Sequence, residues 1–260
     1  MYVPDNVVEK PPVVVVLHSC QSSAQQYFQN SAIPWHAGSD GGGYVTVWPS
    51  SPNSGTCWDV SSQQSLTRDG GGDSTAIAAM IRHAVAEGGD IGGDPARVYV
   101  TGGSSGAMMA NVLAAAYPDL IQAVSLYSGV PAGCFVGGGV AQWNNTCSGG
   151  QSVAPAERWG DVARAMYPGG YDGPRPKMQV WHGSVDSTLA PQNYAETIKQ
   201  WTNVFGVSAD EPTQERQNFP QQGYTTSDYG ESVEGIWAQG VGHSVPSNLT
   251  ASEIWFGLRE

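Results

Sequence analysis

The chain has 260 residues, 40% of them hydrophobic and 13% charged, with a formal net charge of −12; this supports one sizeable core and a single domain spanning residues 1–260. The acidic balance excludes nucleic acid and anionic membrane as natural partners, because both demand clustered Lys and Arg, and it leaves neutral or uncharged polymers as better substrates. Apolar runs such as Val13–Leu17 fall far short of the roughly 18 residues of a membrane span, and no signal-peptide pattern opens the chain, so such a segment is expected to be absent or already removed.

Val-rich stretches bounded by Gly and Pro alternate with segments of helical period, which predicts an α/β fold with a mostly parallel central sheet flanked by helices. In chain order, strands are expected over residues 12–17 and 44–48. A helix over 75–86 follows, with cap chemistry at Asp73-Ser74 and apolar Ile77, Met80, Ile81, Ala84 and Val85 at three- and four-residue steps. The strand 97–101 enters Gly102-Gly103-Ser104-Ser105-Gly106, and a helix over 105–116 leaves it. Beyond the strand 123–127, the stretch from Cys134 to Gly150 has neither period and reads as a Gly-rich excursion. A helix over 156–166, a strand over 177–181, a helix over 192–205 and a strand over 232–237 complete the pattern.

Four cysteines without CxxC or Cys/His spacing suit two disulfides better than a metal site. Three connectivities are open; the preferred one pairs Cys20 with Cys57 and Cys134 with Cys147, and four free thiols are the alternative. Asn144 and Asn248 each open a glycosylation sequon.

The G-x-S-x-G pattern makes Ser104 its central serine, and the strand–turn–helix around it is the setting of a nucleophile elbow. A glycine-rich helix entry is the plainer explanation. A serine nucleophile needs an imidazole base and a carboxylate to fix that imidazole's tautomer, and α/β hydrolases bring them in the order Ser, acid, His. Asp186, in a loop after the strand 177–181, is the acid by this order; Asp161 and Asp172 suit a helix surface and a turn. His243 is the only histidine after Asp186 and is the base. His36 and His83 suit a loop and a helix surface, and His182 a neighbour of the acid loop. The N–H groups of Ser105 and Cys20 are the expected oxyanion donors, with a purely structural cystine the alternative for Cys20. No metal and no cofactor is called for.

The stretches LHSC, SSPNSGTCWDVSSQ, VTGGSSGAMMANVLAAAYPDL, YSGVPAGCF, RPKMQVWHGSVDSTLAPQNYAETIKQW and GVGHSVP together resemble the fungal-type acetylxylan esterases of carbohydrate esterase family 1. Feruloyl esterases and polyhydroxyalkanoate depolymerases are relatives on the same α/β-hydrolase scaffold. The resemblance spans nearly the whole chain and implies Ser104, Asp186 and His243 as nucleophile, acid and base. It also implies that the LHSC loop helps form the oxyanion hole and that Trp143 stands near the acyl or sugar pocket. The resemblance implies two departures: the family usually carries an additional N-terminal strand segment before the point where this sequence begins, so an edge strand is expected to be missing, and Gly137-Gly138-Gly139 looks shortened beside the family's loop.

Pyranose faces stack on indole rings, so loop aromatics are candidates for a polysaccharide platform. Trp58 and Trp143 are the two chosen. Trp159, Trp201 and Trp255 read as core, and Trp35, Trp48, Trp181 and Trp237 as packing at strand ends. The expectation is a secreted, monomeric serine esterase that removes acetyl groups from xylan. A feruloyl esterase or polyester depolymerase is the alternative within the same chemistry, and a carbohydrate-binding protein on a hydrolase fold is the alternative outside it.

Overall fold

The computed structural model describes residues 1–39 and 43–260. Among them are strands β1 (Val13–Leu17), β2 (Val45–Val47), β3 (Val98–Gly103), β4 (Ala123–Tyr127), β5 (Lys177–Gly183), β6 (Gln214–Gln217), β7 (Tyr224–Tyr229) and β8 (Val233–Ala238), in one sheet ordered β2-β1-β3-β4-β5-β8-β7-β6. From β2 to β8 neighbouring strands are parallel; β7 and β6 add an antiparallel edge. This is the α/β-hydrolase arrangement expected from the alternation of strand and helix patterns.

Helices α1 (Ala24–Gln29), α2 (Ile33–Gly38), α3 (Asp73–Ala84), α4 (Ser105–Ala116), α5 (Asn145–Ser148), α6 (Ala156–Ala165), α7 (Gln192–Phe205) and α8 (Leu249–Phe256) accompany the sheet. β1 shows why its sequence is apolar without alternation. Val13, Val15 and Leu17 enter the core formed with Ile77, Ile81, Leu113 and Trp201 of α3, α4 and α7. Val14 and Val16 enter the opposite core, with Ile33 of α2 and Phe256 of α8. A strand covered on both faces has no solvent side to mark with polar residues. Strand order reverses between β1 and β3, and the carboxyl ends at such a switch point form a natural crevice.

Both expected disulfides are present, Cys20–Cys57 and Cys134–Cys147. Helices α4 and α7 have the expected bounds, and α6 ends one residue early. Helix α3 begins earlier than expected, and its cap is Gly72, whose lack of a side-chain cap bond corrects the Asp73-Ser74 reading. The Asp73 N–H instead donates to Ser65 Oγ at 2.8 Å, and the Asp73 carboxylate turns back to accept from Asn53 and from the Asp59 amide. Trp35 is also corrected: it lies on α2 and is 71% exposed, not packed at a strand end. Tyr2 forms an isolated antiparallel bridge with Thr46 on the outer side of β2.

Candidate active site

Ser104 joins β3 to α4 with φ 55° and ψ −122°, a left-handed φ that an L-residue adopts only under outside constraint. The constraint comes from close approach of the backbone. A Cβ on Gly106 would stand 2.1 Å from the Leu17 carbonyl oxygen, and one on Gly102 would stand 2.7 Å from the Gly106 carbonyl carbon. These glycines let the start of α4 press on the end of β1, which the small-residue composition alone does not explain. The Ser104 N–H donates to the Tyr127 carbonyl at 2.8 Å, so β4 holds the turn from the other side.

Asp186 and His243 arrive from β5 and β8. The two loops are laced together: Ser184 N–H donates to the Ala238 carbonyl, Val185 N–H to the Val241 carbonyl, and Gly240 N–H to Ser184 Oγ. Gly183 is needed there because a Cβ would meet the Val241 carbonyl oxygen at 2.3 Å. The result is a line of three side chains. His243 Nδ1 lies 2.8 Å from Asp186 Oδ2, and His243 Nε2 lies 2.8 Å from Ser104 Oγ.

The buried Asp186 carboxylate also accepts the Thr188 and Leu189 N–H groups through Oδ1, at 2.8 and 2.9 Å. His182 Nε2 approaches its Oδ2 at 3.4 Å while meeting the Leu189 carbonyl at 2.9 Å. Burial by itself would push the Asp186 pKa up; the His182, His243 and backbone donors outweigh it and hold the carboxyl well below its usual range. An ionised Asp186 fixes His243 with its proton on Nδ1, so Nε2 faces Ser104 as an acceptor. His182 has the neighbouring place expected of it.

A cleft of about 610 Å³ opens over this line, walled by Ser19, Cys20, Cys57, Tyr127, Trp143 and His243 among others. Cys20 is thus at the site. Ser105 is buried as the first residue of α4, and its hydroxyl accepts the Trp58 N–H at 2.7 Å. Trp143 is 50% exposed and borders the cleft.

Trp58 is not a platform. It is 3% exposed, it packs in the main core, and its Nε1–H donates to the His18 carbonyl at 2.8 Å. Its neighbour Cys57 lines the cleft while the indole points inward, a direction that local sequence does not encode. Sequence reasoning also passed over His18 and Tyr127. His18 Nδ1 donates to the Ser19 carbonyl and Nε2 accepts the Ser51 N–H, and burial lowers its pKa, so a neutral imidazole pins the loop carrying Cys20. Tyr127 donates to the Asn248 carbonyl and contacts Ser252 Oγ, with burial pushing its phenol up to about 12. Both residues stand at carboxyl ends of strands, the signal that could have singled them out. Among the described residues no group of three or more His, Cys, Asp or Glu is arranged to hold a metal.

Comparison with known proteins gives one direction. The family described as Esterase PHB depolymerase matches residues 1–217, which include Ser104 and Asp186 and stop short of His243. The chain is 49% identical over 260 residues to the probable acetylxylan esterase A of Aspergillus fumigatus, covering 99% of this chain and 68% of that one. It is 49% identical to the acetylxylan esterase A of Aspergillus ficuum, covering 99% and 84%. The solved acetyl xylan esterase from Aspergillus awamori superposes with a TM-score of 0.95 at 46% identity, covering 99% of this chain and 92% of that one. The esterase PE8 structure, at 15% identity and a TM-score of 0.59, shares the fold. The chain belongs to the esterase PHB depolymerase family, alongside the Aspergillus acetylxylan esterases.

Proposed function

We propose that the protein is a serine esterase that removes O-acetyl groups from xylan through an acyl-enzyme, with Ser104 as nucleophile, His243 as base and Asp186 as the acid that orients it. The observation that carries this is the line of two 2.8 Å contacts from Asp186 through His243 to Ser104, opening into the cleft. His243 Nε2 takes the proton as Ser104 Oγ attacks the acetyl carbonyl carbon. The tetrahedral oxyanion is stabilised by the N–H groups of Ser105, at the positive end of α4, and of Cys20. Collapse expels the xylose oxygen, which takes the proton back from His243. Water, deprotonated by the same imidazole, then releases acetate.

Acetylated xylan is supported as the substrate by the names and high identity of the Aspergillus relatives. Trp143 at the cleft edge is the sugar platform. Two disulfides suit a secreted protein, and among the described residues no helix is long and apolar enough to cross a membrane. The enzyme acts as a monomer.

The test is acetate release from acetylated glucuronoxylan beside hydrolysis of methyl ferulate, for wild type and Ser104→Ala. Wild type should release acetate with little ferulate turnover, and the variant should lose about three or more orders of magnitude in kcat while keeping its fold. Full activity in Ser104→Ala would sink the nucleophile assignment. Turnover of ferulate alone would leave the chemistry standing and overturn the substrate.

A further inference from the structure

The segment Cys57-Trp58-Asp59-Val60-Ser61-Ser62 runs behind the cleft, and its carboxylate takes no part in the steps above. Asp59 is 2% exposed, and among the described residues no Lys, Arg or His pairs with it. A buried carboxylate without a counter-ion is costly unless donors surround it. Here Oδ1 accepts the N–H groups of Ser61 at 3.2 Å, Ser62 at 3.0 Å and Ala141 at 2.9 Å, and Oδ2 accepts the Ser62 hydroxyl. Burial alone would raise the Asp59 pKa; these donors outweigh it and keep the group ionised.

Ala141 is far away in sequence, inside the excursion closed by Cys134–Cys147. Ser61 holds the same excursion at three further points: its carbonyl accepts the Gly137 N–H at 2.9 Å, and its hydroxyl donates to the Gly139 carbonyl and accepts the Gln142 N–H, each at 2.8 Å. Gly137, Gly138 and Gly139 give this turn little stiffness of its own. Ala141 has φ +49°, a left-handed conformation that needs support from outside the residue. Two positions on comes Trp143, edge-on to Phe135 with ring centroids 5.1 Å apart, at the rim of the cleft that holds Ser104 and His243. A hydrogen bond to an ionised acceptor is stronger than one between neutral groups, so the Ala141 anchor is the firmest of the set.

We infer that Asp59 is a positioning residue: through the Ala141 N–H, and together with Ser61, it fixes where Trp143 stands and so sets how tightly the sugar chain is held, leaving acyl transfer to the triad. This rests on the reading of Trp143 as the sugar platform. Asp59→Ala, Asp59→Asn, Trp143→Ala and the double variant Asp59→Ala/Trp143→Ala are compared on acetylated xylo-oligosaccharides and on 4-nitrophenyl acetate.

Asp59→Ala should raise KM for the oligosaccharide about tenfold, with kcat within about twofold and the small ester unaffected. Asp59→Asn, whose amide oxygen still accepts the Ala141 N–H, should restore most of the loss. On the Trp143→Ala background, Asp59→Ala should add nothing. An equal fall in kcat on both substrates, or a full KM effect persisting without the indole, overturns the inference. If Asp59→Ala does not fold, Ser61→Ala takes its place, with a smaller KM rise expected; an unchanged KM there overturns it as well. A Trp143→Ala variant that binds the oligosaccharide as wild type does would remove the platform itself, and any KM rise in Asp59→Ala would then count against its acting through Trp143.

Discussion

At the residue scale, Asp186 is where the proposed chemistry meets stability. Its carboxyl is held below the ordinary value, so its contribution to folding is complete above the unfolded pKa of about 4 and is lost as pH falls toward the lower folded pKa. Asp186→Asn should therefore differ from wild type in urea midpoint at neutral pH, and the gap should narrow as pH drops below about 4. The same variant should lose about 10³–10⁴ in kcat, because the amide no longer fixes the His243 tautomer. A pH-independent gap would show that packing, not charge, carries the effect. That Ser104, Asp186 and His243 would come together was legible in the sequence, because each stands in the turn or loop after a Val- or Trp-bearing strand and their order in the chain is itself a constraint. Trp58 was not. Its neighbour Cys57 faces the cleft, while the bond from the indole N–H to the His18 carbonyl and packing on the His18 ring turn the indole inward.

At the element scale, the elbow is a meeting of β1, β3 and α4 that leaves no room for a side chain at Gly106. Gly106→Ala should cost about 3 kcal/mol or more, seen as a collapse of soluble yield or of the thermal midpoint, because the clash is with backbone that has nowhere to move. A variant of near-native stability would mean that α4 can slide along the sheet. The elements easiest to read were those buried on both sides, β1, β3, β4 and β5. Among those that escaped, three have a plain reason. β6, QERQ, is a polar edge strand whose only partner among the described residues is β7, and α1, AQQYFQ, has no buried residue. Neither carries a hydrophobic period, because neither has a wholly buried face to mark. Helix α8 buries the polar Ser252 and Glu253 and exposes Ile254, which leaves it no clean apolar face to find.

At the scale of the whole molecule, the C-terminal helix is fastened across the sheet rather than laid on it. Glu253 of α8 is buried and accepts from Tyr44, meets His36 at 3.0 Å and has Arg259 at 3.5 Å, while Ser252 reaches Tyr127 and Ser125. Glu253→Ala should destabilise the fold by about 2 kcal/mol or more, since it strands the Tyr44 hydroxyl in the interior; chemical denaturation reads this directly, and a change under about 0.5 kcal/mol would show the cluster to be ornamental. The two disulfides have a different distribution: Cys20 and Cys57 line the cleft, Cys134–Cys147 closes the base of the excursion that bears Trp143, and neither crosses the central sheet. The body of the protein and its working surface therefore answer to different conditions. Made in a reducing compartment, the chain should assemble its sheet and give a near-native circular dichroism spectrum, yet present a slack cleft that turns over xylan poorly until the thiols are oxidised.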